Sequence, residues 1–180
     1  MDAFTERLRI LNSRRLTLVA ASHELVGQDL AGRSALASAL EATVPDNWPP
    51  ELYDRNAMEY SLDQLASPGI QGWSFWYLVL TDSNELAGLC GFKGRPSADG
   101  EVEIGYSILR QFQGQGLATE ASMRLIGWAF AHREVKQVTA ETLPHLKSSI
   151  RVLEKNGMEF VGPGSERGVI RYAVTRPQGG

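Results

Sequence analysis

One cysteine stands in the 180 residues, so Cys90 has no partner for an internal disulfide and no C-x-x-C companion for a thiolate metal site. A disulfide scaffold and a cysteine-based zinc site are excluded, and a reducing compartment fits. His23, His132 and His145 share no ligand spacing, so no metal is expected. Positive charge is also short: 18 Lys and Arg against 21 Asp and Glu give a net charge of −3, with both signs scattered. That balance offers no basic field for nucleic acid or an anionic membrane surface. No apolar run approaches about 18 residues, and the MDAFTERLRI start is charged from its second position, so neither a membrane span nor a secretory leader is expected and the chain is read as cytoplasmic. Repeats of 20 to 50 residues are missing too. With 43% hydrophobic residues, the chain is rich enough for one sizeable core, and we read residues 1–180 as a single domain.

What is present alternates between strand and helix signals. Leu16, Leu18 and Ala20 alternate as a short strand, and Ser22 to Ala42 holds helix formers interrupted at Gly27 and Gly32, which predicts two helices with a bend. Three prolines in 44–50 demand a loop. A helix follows from about Asp54 to Leu65. The aromatic and β-branched run Trp73–Leu80, the Asp82-Ser83-Asn84 turn and Leu86–Phe92 read as a hairpin, and Glu101–Leu109 as a third antiparallel strand. After Gln113-Gly114-Gln115-Gly116, Leu117, Ala121, Leu125 and Ala129 recur at helical spacing. Lys136–Leu143 is a strand, Ser148–Asn156 a short helix stopped by Asn156-Gly157, and strands at about 158–162 and 169–175, joined by Gly162-Pro163-Gly164, finish the chain. Strand, glycine turn, helix and strand from Glu101 to Leu143 make a right-handed crossover, so those two strands lie parallel inside a mainly antiparallel sheet. The fold class is α+β, a mixed α/β arrangement.

The chemistry concentrates at Gln111-Phe112-Gln113-Gly114-Gln115-Gly116-Leu117-Ala118. A strand feeding this turn into a helix start brings unpaired amides and the positive end of the helix dipole to one point, which attracts phosphate. Glycine suits 114 and 116 because a Cβ would hold a phosphate oxygen away and because the turn favours positive φ. Thr119 replaces the third glycine of a dinucleotide fingerprint, and no Gly-Lys-Ser/Thr follows, which leaves a phosphate loop without the lysine or magnesium ligand of a nucleoside triphosphatase.

These residues resemble the GNAT acetyltransferase superfamily. Gln111-x-x-Gly114-x-Gly116 is similar to its acetyl-coenzyme A pyrophosphate loop. Glu103-Ile104-Gly105-Tyr106, Leu117-Ala118-Thr119-Glu120-Ala121 and Ser149 to Met158 are similar to the branch that includes the ribosomal-protein N-terminal acetyltransferases. The resemblance implies a twisted sheet of six or seven strands whose parallel pair splays apart to hold coenzyme A. It places a strand bulge near Ile108 and Leu109, whose backbone pairs with the pantetheine arm, and a pyrophosphate on amides from about Gln113 to Ala118, through Gly114, Gln115, Gly116 and Leu117.

The implied activity is direct acetyl transfer from the thioester to a primary amine, a small molecule or a peptide N-terminus. Such an amine must lose a proton to attack, and Glu103 matches the family's base position; Glu101 shares its strand face, so both stay open. Ser149 matches the hydroxyl proposed to protonate the leaving sulfur in the ribosomal branch. Leu153 stands where many members carry tyrosine, and Leu146 where they carry asparagine. Those departures leave a second reading, a non-catalytic acyl-coenzyme A sensor. A covalent route through Cys90 is also open. The acceptor, and whether the chain is a monomer or homodimer, stay undetermined.

Overall fold

The computed structural model describes residues 8–178; the charged start at 1–7 and the last two residues of the Pro-Gln-Gly-Gly tail lie outside the described residues. Among the described residues, eight strands form one sheet. In chain order the elements are β1 (Ile10–Asn12), β2 (Leu16–Ala20), α1 (His23–Ala31), α2 (Arg33–Leu40), α3 (Arg55–Leu65), β3 (Phe75–Leu80), β4 (Leu86–Phe92) and β5 (Glu101–Ile108). A 3-10 turn (Arg110–Phe112), α4 (Leu117–Phe130), β6 (Gln137–Thr142), α5 (Lys147–Lys155), β7 (Glu159–Pro163) and β8 (Ile170–Thr175) follow. The strand order is β1-β2-β3-β4-β5-β6-β8-β7, antiparallel throughout except for the parallel β5–β6 pair.

Period-two alternation gives the central strands two apolar faces. Leu18, Trp76, Leu78, Val102, Ile104 and Val138 pack on α4 and α5, while Val19, Tyr77, Val79 and Leu89 pack on α1, α2 and α3. Leu117, Ala121, Leu125 and Ala129 of α4 are buried at a four-residue spacing, and each leucine contributes about 1.5–3 kcal/mol by leaving water. Serine and aspartate start the helices that the sequence assigned to them: Ser22 Oγ accepts the Leu25 amide at 3.1 Å and Asp54 Oδ1 the Ala57 amide at 3.0 Å. Gly32, at φ +140°, separates α1 from α2. α5 ends in a Schellman arrangement, with Gly157 at φ +75°, its amide donating to Glu154 (2.9 Å) and the Met158 amide to Leu153 (3.1 Å).

Three details differ from the sequence expectation. The sheet gains β1, a three-residue edge strand paired with β2, too short to show any period. Gly162 and Pro163 belong to β7, opposite Arg171 and Ile170, and the turn lies in 164–169 instead. Gly162, at φ +124°, sits at a register shift, and Pro163 closes an edge strand where a missing amide costs little. The bulge expected near Ile108 and Leu109 is not in β5, which runs in continuous register with β4 from Ile104 to Ile108. It lies in β4, where the step from Leu78↔Gly88 to Val79↔Leu86 leaves Ala87 extra.

Candidate active site

The site begins where two parallel strands part. β5 and β6 pair at Glu101↔Gln137, Val102↔Val138 and Glu103↔Thr139, and no pairing follows, although β5 continues to Ile108 and β6 to Thr142. On the β4 side β5 is fully used: the Lys93 amide donates to the Glu103 carbonyl and the Leu109 amide to the Ala87 carbonyl. By alternation, the Ile104 carbonyl, both backbone groups of Tyr106 and the Ile108 amide face the gap; the Ile104 amide belongs to the last β6 rung, and the Ile108 carbonyl accepts from Gln113 Nε2 at 2.9 Å. The strand split itself, without a bulge, frees this edge. A cleft of about 790 Å³ occupies it, lined by Ile104–Ile108, by Ala140–Leu143 and by one side of α5 through Ser148, Ser149, Arg151, Val152 and Lys155.

The glycine loop closes one end of the cleft. Gly114 and Gly116 adopt φ +74° and +79°, the left-handed region, so both turns need glycine. The amides of Gly114, Gln115, Gly116, Leu117, Ala118 and Thr119 have no hydrogen-bond acceptor among the described residues. A Cβ on Gly114 meets nothing within 4 Å, so its approach side is open. Arg15 fixes the loop from outside, donating Nη1 to the Gln115 carbonyl (2.8 Å) and Nε to Glu120 Oε2 (2.7 Å). Burial raises the Glu120 pKa, but bonds from Ser13 Oγ, the Arg15 amide and the Arg15 guanidinium outweigh it and leave the carboxyl below its ordinary value. Six free amides at a helix start and an unpaired strand edge suit the two parts of acetyl-coenzyme A, its pyrophosphate and its amide-bearing arm.

Of the residues singled out from the sequence, Ile108, Gln113, Gly114, Gly116, Leu117, Ala118 and Ser149 line the cleft together, but the Gln113 amide, expected at the pyrophosphate, donates to the Arg110 carbonyl at 3.3 Å because the 3-10 turn closes there, so the free row starts at Gly114. Leu109, Gln111, Gln115 and Glu103 do not. Leu109 is buried against the α1–α3 face and its amide is taken by Ala87. Gln111 turns outward to Asn47, and Gln115 offers only its backbone. Glu103 lies on the sheet face opposite Tyr106, ion-paired with Lys93, which does line the cleft. Glu101 is tied to Arg171 at 3.3 Å. Cys90 is buried with its thiol pushed up to about 12 by burial, which keeps it protonated and poorly nucleophilic.

Two features escaped sequence reading. Tyr106 Oη lies 3.0 Å from Ser149 Oγ and donates to the Ser149 carbonyl at 3.2 Å, while Thr142 Oγ1 donates to Ser149 Oγ at 3.0 Å. Ser149 therefore does not cap its helix; Leu146 holds the N-cap position with no side-chain bond. The Gly105-Tyr106 pair was visible but carried no sign of its partner. The second feature is the 44–54 loop, clamped at three points: Asn47 to Gln111, Trp48 Nε1 to buried Asp29 (2.9 Å), and the Glu51 carbonyl to Ser107 Oγ (2.7 Å). Glu51 and Leu52 thus reach the cleft.

A twisted mixed sheet split at its parallel pair, with an amide-lined loop at the mouth of the split, is an acyltransferase architecture. The family model of the acetyltransferase (GNAT) domain matches residues 15–159, and the chain belongs to that family. It is 34% identical over 89 residues to the uncharacterized N-acetyltransferase YjdG of Bacillus subtilis, covering 49% of this chain and 53% of that one. It is 29% identical over 87 residues to FsC-acetyl coenzyme A-N(2)-transacetylase of Aspergillus fumigatus, 43% of this chain and 37% of that one. The chain spans about half the length of the curated relatives it matches. Among solved structures, an acetyltransferase (GNAT family) from Bacillus anthracis superposes with a TM-score of 0.62 at 16% identity, covering 94% of this chain and 100% of that one. The RimL ribosomal L7/L12 alpha-N-protein acetyltransferase in complex with coenzyme A gives 0.64 at 20% identity, covering 93% and 98%. At such identities the likeness is one of fold. Among the described residues, no helix is long and apolar enough to cross a membrane.

Proposed function

We propose that this chain is an acetyl-coenzyme A dependent N-acetyltransferase that moves acetyl directly to a primary amine in a ternary complex. The observation that carries the reading is the row of six free amides, from Gly114 to Thr119, at the mouth of the β5–β6 split. Acetyl-coenzyme A, when bound, supplies an activated acyl carbon and a sulfur leaving group. The loop amides hold its diphosphate, and the Ile104 carbonyl, the two backbone groups of Tyr106 and the Ile108 amide align its arm like an added strand.

An aliphatic amine, with a pKa near about 10, arrives mostly protonated and must lose a proton before attack. Glu103 takes that proton directly or through a water. Its rung with Thr139 is the last before the strands part, and its partner Lys93 reaches the cleft, whereas Glu101 lies two residues deeper and is held by Arg171. Ser149 Oγ, lining the cleft, returns a proton to the departing sulfur. The acceptor is a small amine or a peptide N-terminus; the ribosomal-protein branch is favoured by the placement of Ser149 alone.

The test is release of free thiol from acetyl-coenzyme A in the presence of a panel of primary amines and peptide N-termini. At least one acceptor is expected to raise release well above hydrolysis, and E103Q to lower kcat by about 100-fold or more while E101Q changes it little. Hydrolysis alone with every acceptor overturns the reading, and a larger loss in E101Q reassigns the base.

A further inference from the structure

Ser149 is a poor proton source by itself, since an aliphatic hydroxyl is a far weaker acid than the thiol it would serve. The structure surrounds it with two more hydroxyls, one of them phenolic. Thr142 Oγ1 donates to Ser149 Oγ at 3.0 Å, and Tyr106 Oη stands 3.0 Å from the same oxygen and 3.2 Å from the Ser149 carbonyl. All three side chains line the cleft. They come from β5, β6 and α5, so they meet only where the two strands have separated.

The hydrogen-bond inventory allows two arrangements. In the first, Tyr106 donates to the Ser149 carbonyl and Ser149 donates to the Tyr106 oxygen. In the second, Tyr106 swings its hydrogen to Ser149 Oγ. Both lone pairs of that oxygen are then taken, by Thr142 and Tyr106, and the serine hydrogen has only the cleft to enter. The switch rotates two hydrogens, the tyrosine's and the serine's, each about its own C–O bond, and needs no change in backbone.

We infer that Tyr106 and Ser149 form a proton relay in which Ser149 hands its hydrogen to the leaving sulfur and Tyr106, a positioning residue, replaces it through the bond between their oxygens. The inference rests on the acetyl-transfer reading above. As the carbon–sulfur bond breaks, its electron pair stays on sulfur; the Ser149 O–H bond breaks and an S–H bond forms. The Tyr106 O–H bond breaks as a new O–H bond forms on Ser149. The phenolate recovers a proton from solvent, matching the one that the acceptor nitrogen releases through Glu103, so no charge accumulates. A phenol is ordinarily a far stronger acid than an aliphatic hydroxyl, and although burial raises Tyr106 it remains the most acidic of the three hydroxyls, so the relay ends on the group best able to supply the proton.

Tyr106 is equipped to keep its hydrogen at neutral pH. Burial pushes its pKa above the usual value, partly offset by the bond with Ser149. Cys90, its cross-strand neighbour on β4, is itself held protonated by burial; Lys93, Arg151 and Lys155 are the cations lining the same cleft, and Glu51, Glu141 and Glu166 its carboxylates.

Three variants, Y106F, S149A and T142V, test the relay against wild type. With an acceptor found by thiol release, Y106F is expected to lower kcat by about 10- to 100-fold with KM for acetyl-coenzyme A within about twofold, and to lack the alkaline fall of kcat expected of wild type as the phenol ionises. A kcat within twofold of wild type, or a loss confined to KM, overturns it. The second readout needs no turnover. The near-ultraviolet tyrosinate titration of wild type minus that of Y106F isolates Tyr106, and S149A is expected to move that titration to higher pH, because the bond lowering it is gone. An unmoved titration in folded S149A overturns the coupling whether or not any acceptor reacts. T142V leaves both relay hydroxyls in place and is expected to lower kcat less than either; a T142V loss equal to that of S149A overturns the assigned direction of transfer.

Discussion

Asn47 and Gln111 face each other amide to amide, Asn47 Nδ2 to Gln111 Oε1 and Gln111 Nε2 to Asn47 Oδ1, both at 2.9 Å. The first residue of the glycine-loop motif is thus spent on a contact with the 44–54 loop and turns away from the cleft. The pair ties the loop that carries Glu51 and Leu52 to the loop that carries the free amides. Replacing either residue by alanine is expected to weaken acetyl-coenzyme A binding by about two- to fivefold, since a solvent-exposed neutral pair contributes on the order of 0.5–1 kcal/mol. A double-mutant cycle measured by calorimetry checks it: N47A and Q111A are non-additive if the pair acts as one unit.

Gly114 separates the needs of the turn from the needs of the ligand. At φ +74° any side chain pays about 1–2 kcal/mol of left-handed strain, yet its Cβ meets no protein atom within 4 Å. G114V is therefore expected to fold with a Tm lowered by several degrees. Its new side chain stands over the free amides, so affinity for acetyl-coenzyme A drops more than tenfold. Calorimetry together with a thermal melt decides; unchanged affinity rejects the loop as the phosphate site.

Asp29 makes stability depend on pH in an unusual direction. Burial raises its pKa above the ordinary carboxyl value, a shift that its bonds from Trp48 Nε1 (2.9 Å) and Tyr77 Oη (3.0 Å) only partly offset. A carboxyl raised on folding binds its proton more tightly in the native state, so its contribution is fully present below about 3.9, the unfolded value, and is lost as pH rises through the folded value. Wild type is expected to gain stability relative to D29N as pH falls from neutrality into that range. Urea midpoints for both proteins across the interval check the sign. D29A, which leaves the indole and phenol hydrogens unpaired, is expected to cost roughly 2 kcal/mol or more at neutral pH.

The helices were legible wherever the signal ran within a few residues. Leu117, Ala121, Leu125 and Ala129 mark the buried side of α4 by spacing alone, and Asn156-Gly157 marks the stop of α5. The three-residue β1 gave no period to read, and Gly162 and Pro163 looked like a turn because their residue types favour one. An edge strand tolerates both, so chain position in the sheet overrode composition.

The glycine loop and its place between a strand and a helix follow from local chemistry: positive φ, free amides and helix polarity act over a handful of bonds, and residue order specifies them directly. The surroundings of the cleft obey a longer rule. Tyr106 and Ser149 lie 43 residues apart and Asn47 and Gln111 lie 64 apart, and each pair meets only because strand register and loop docking bring it together. Register also puts Glu103 on one face of β5 and Tyr106 on the other, a division that a slip of one residue would reverse. Burial of two apolar faces at once selects that register, and no short stretch of chain contains enough of either face to reveal it.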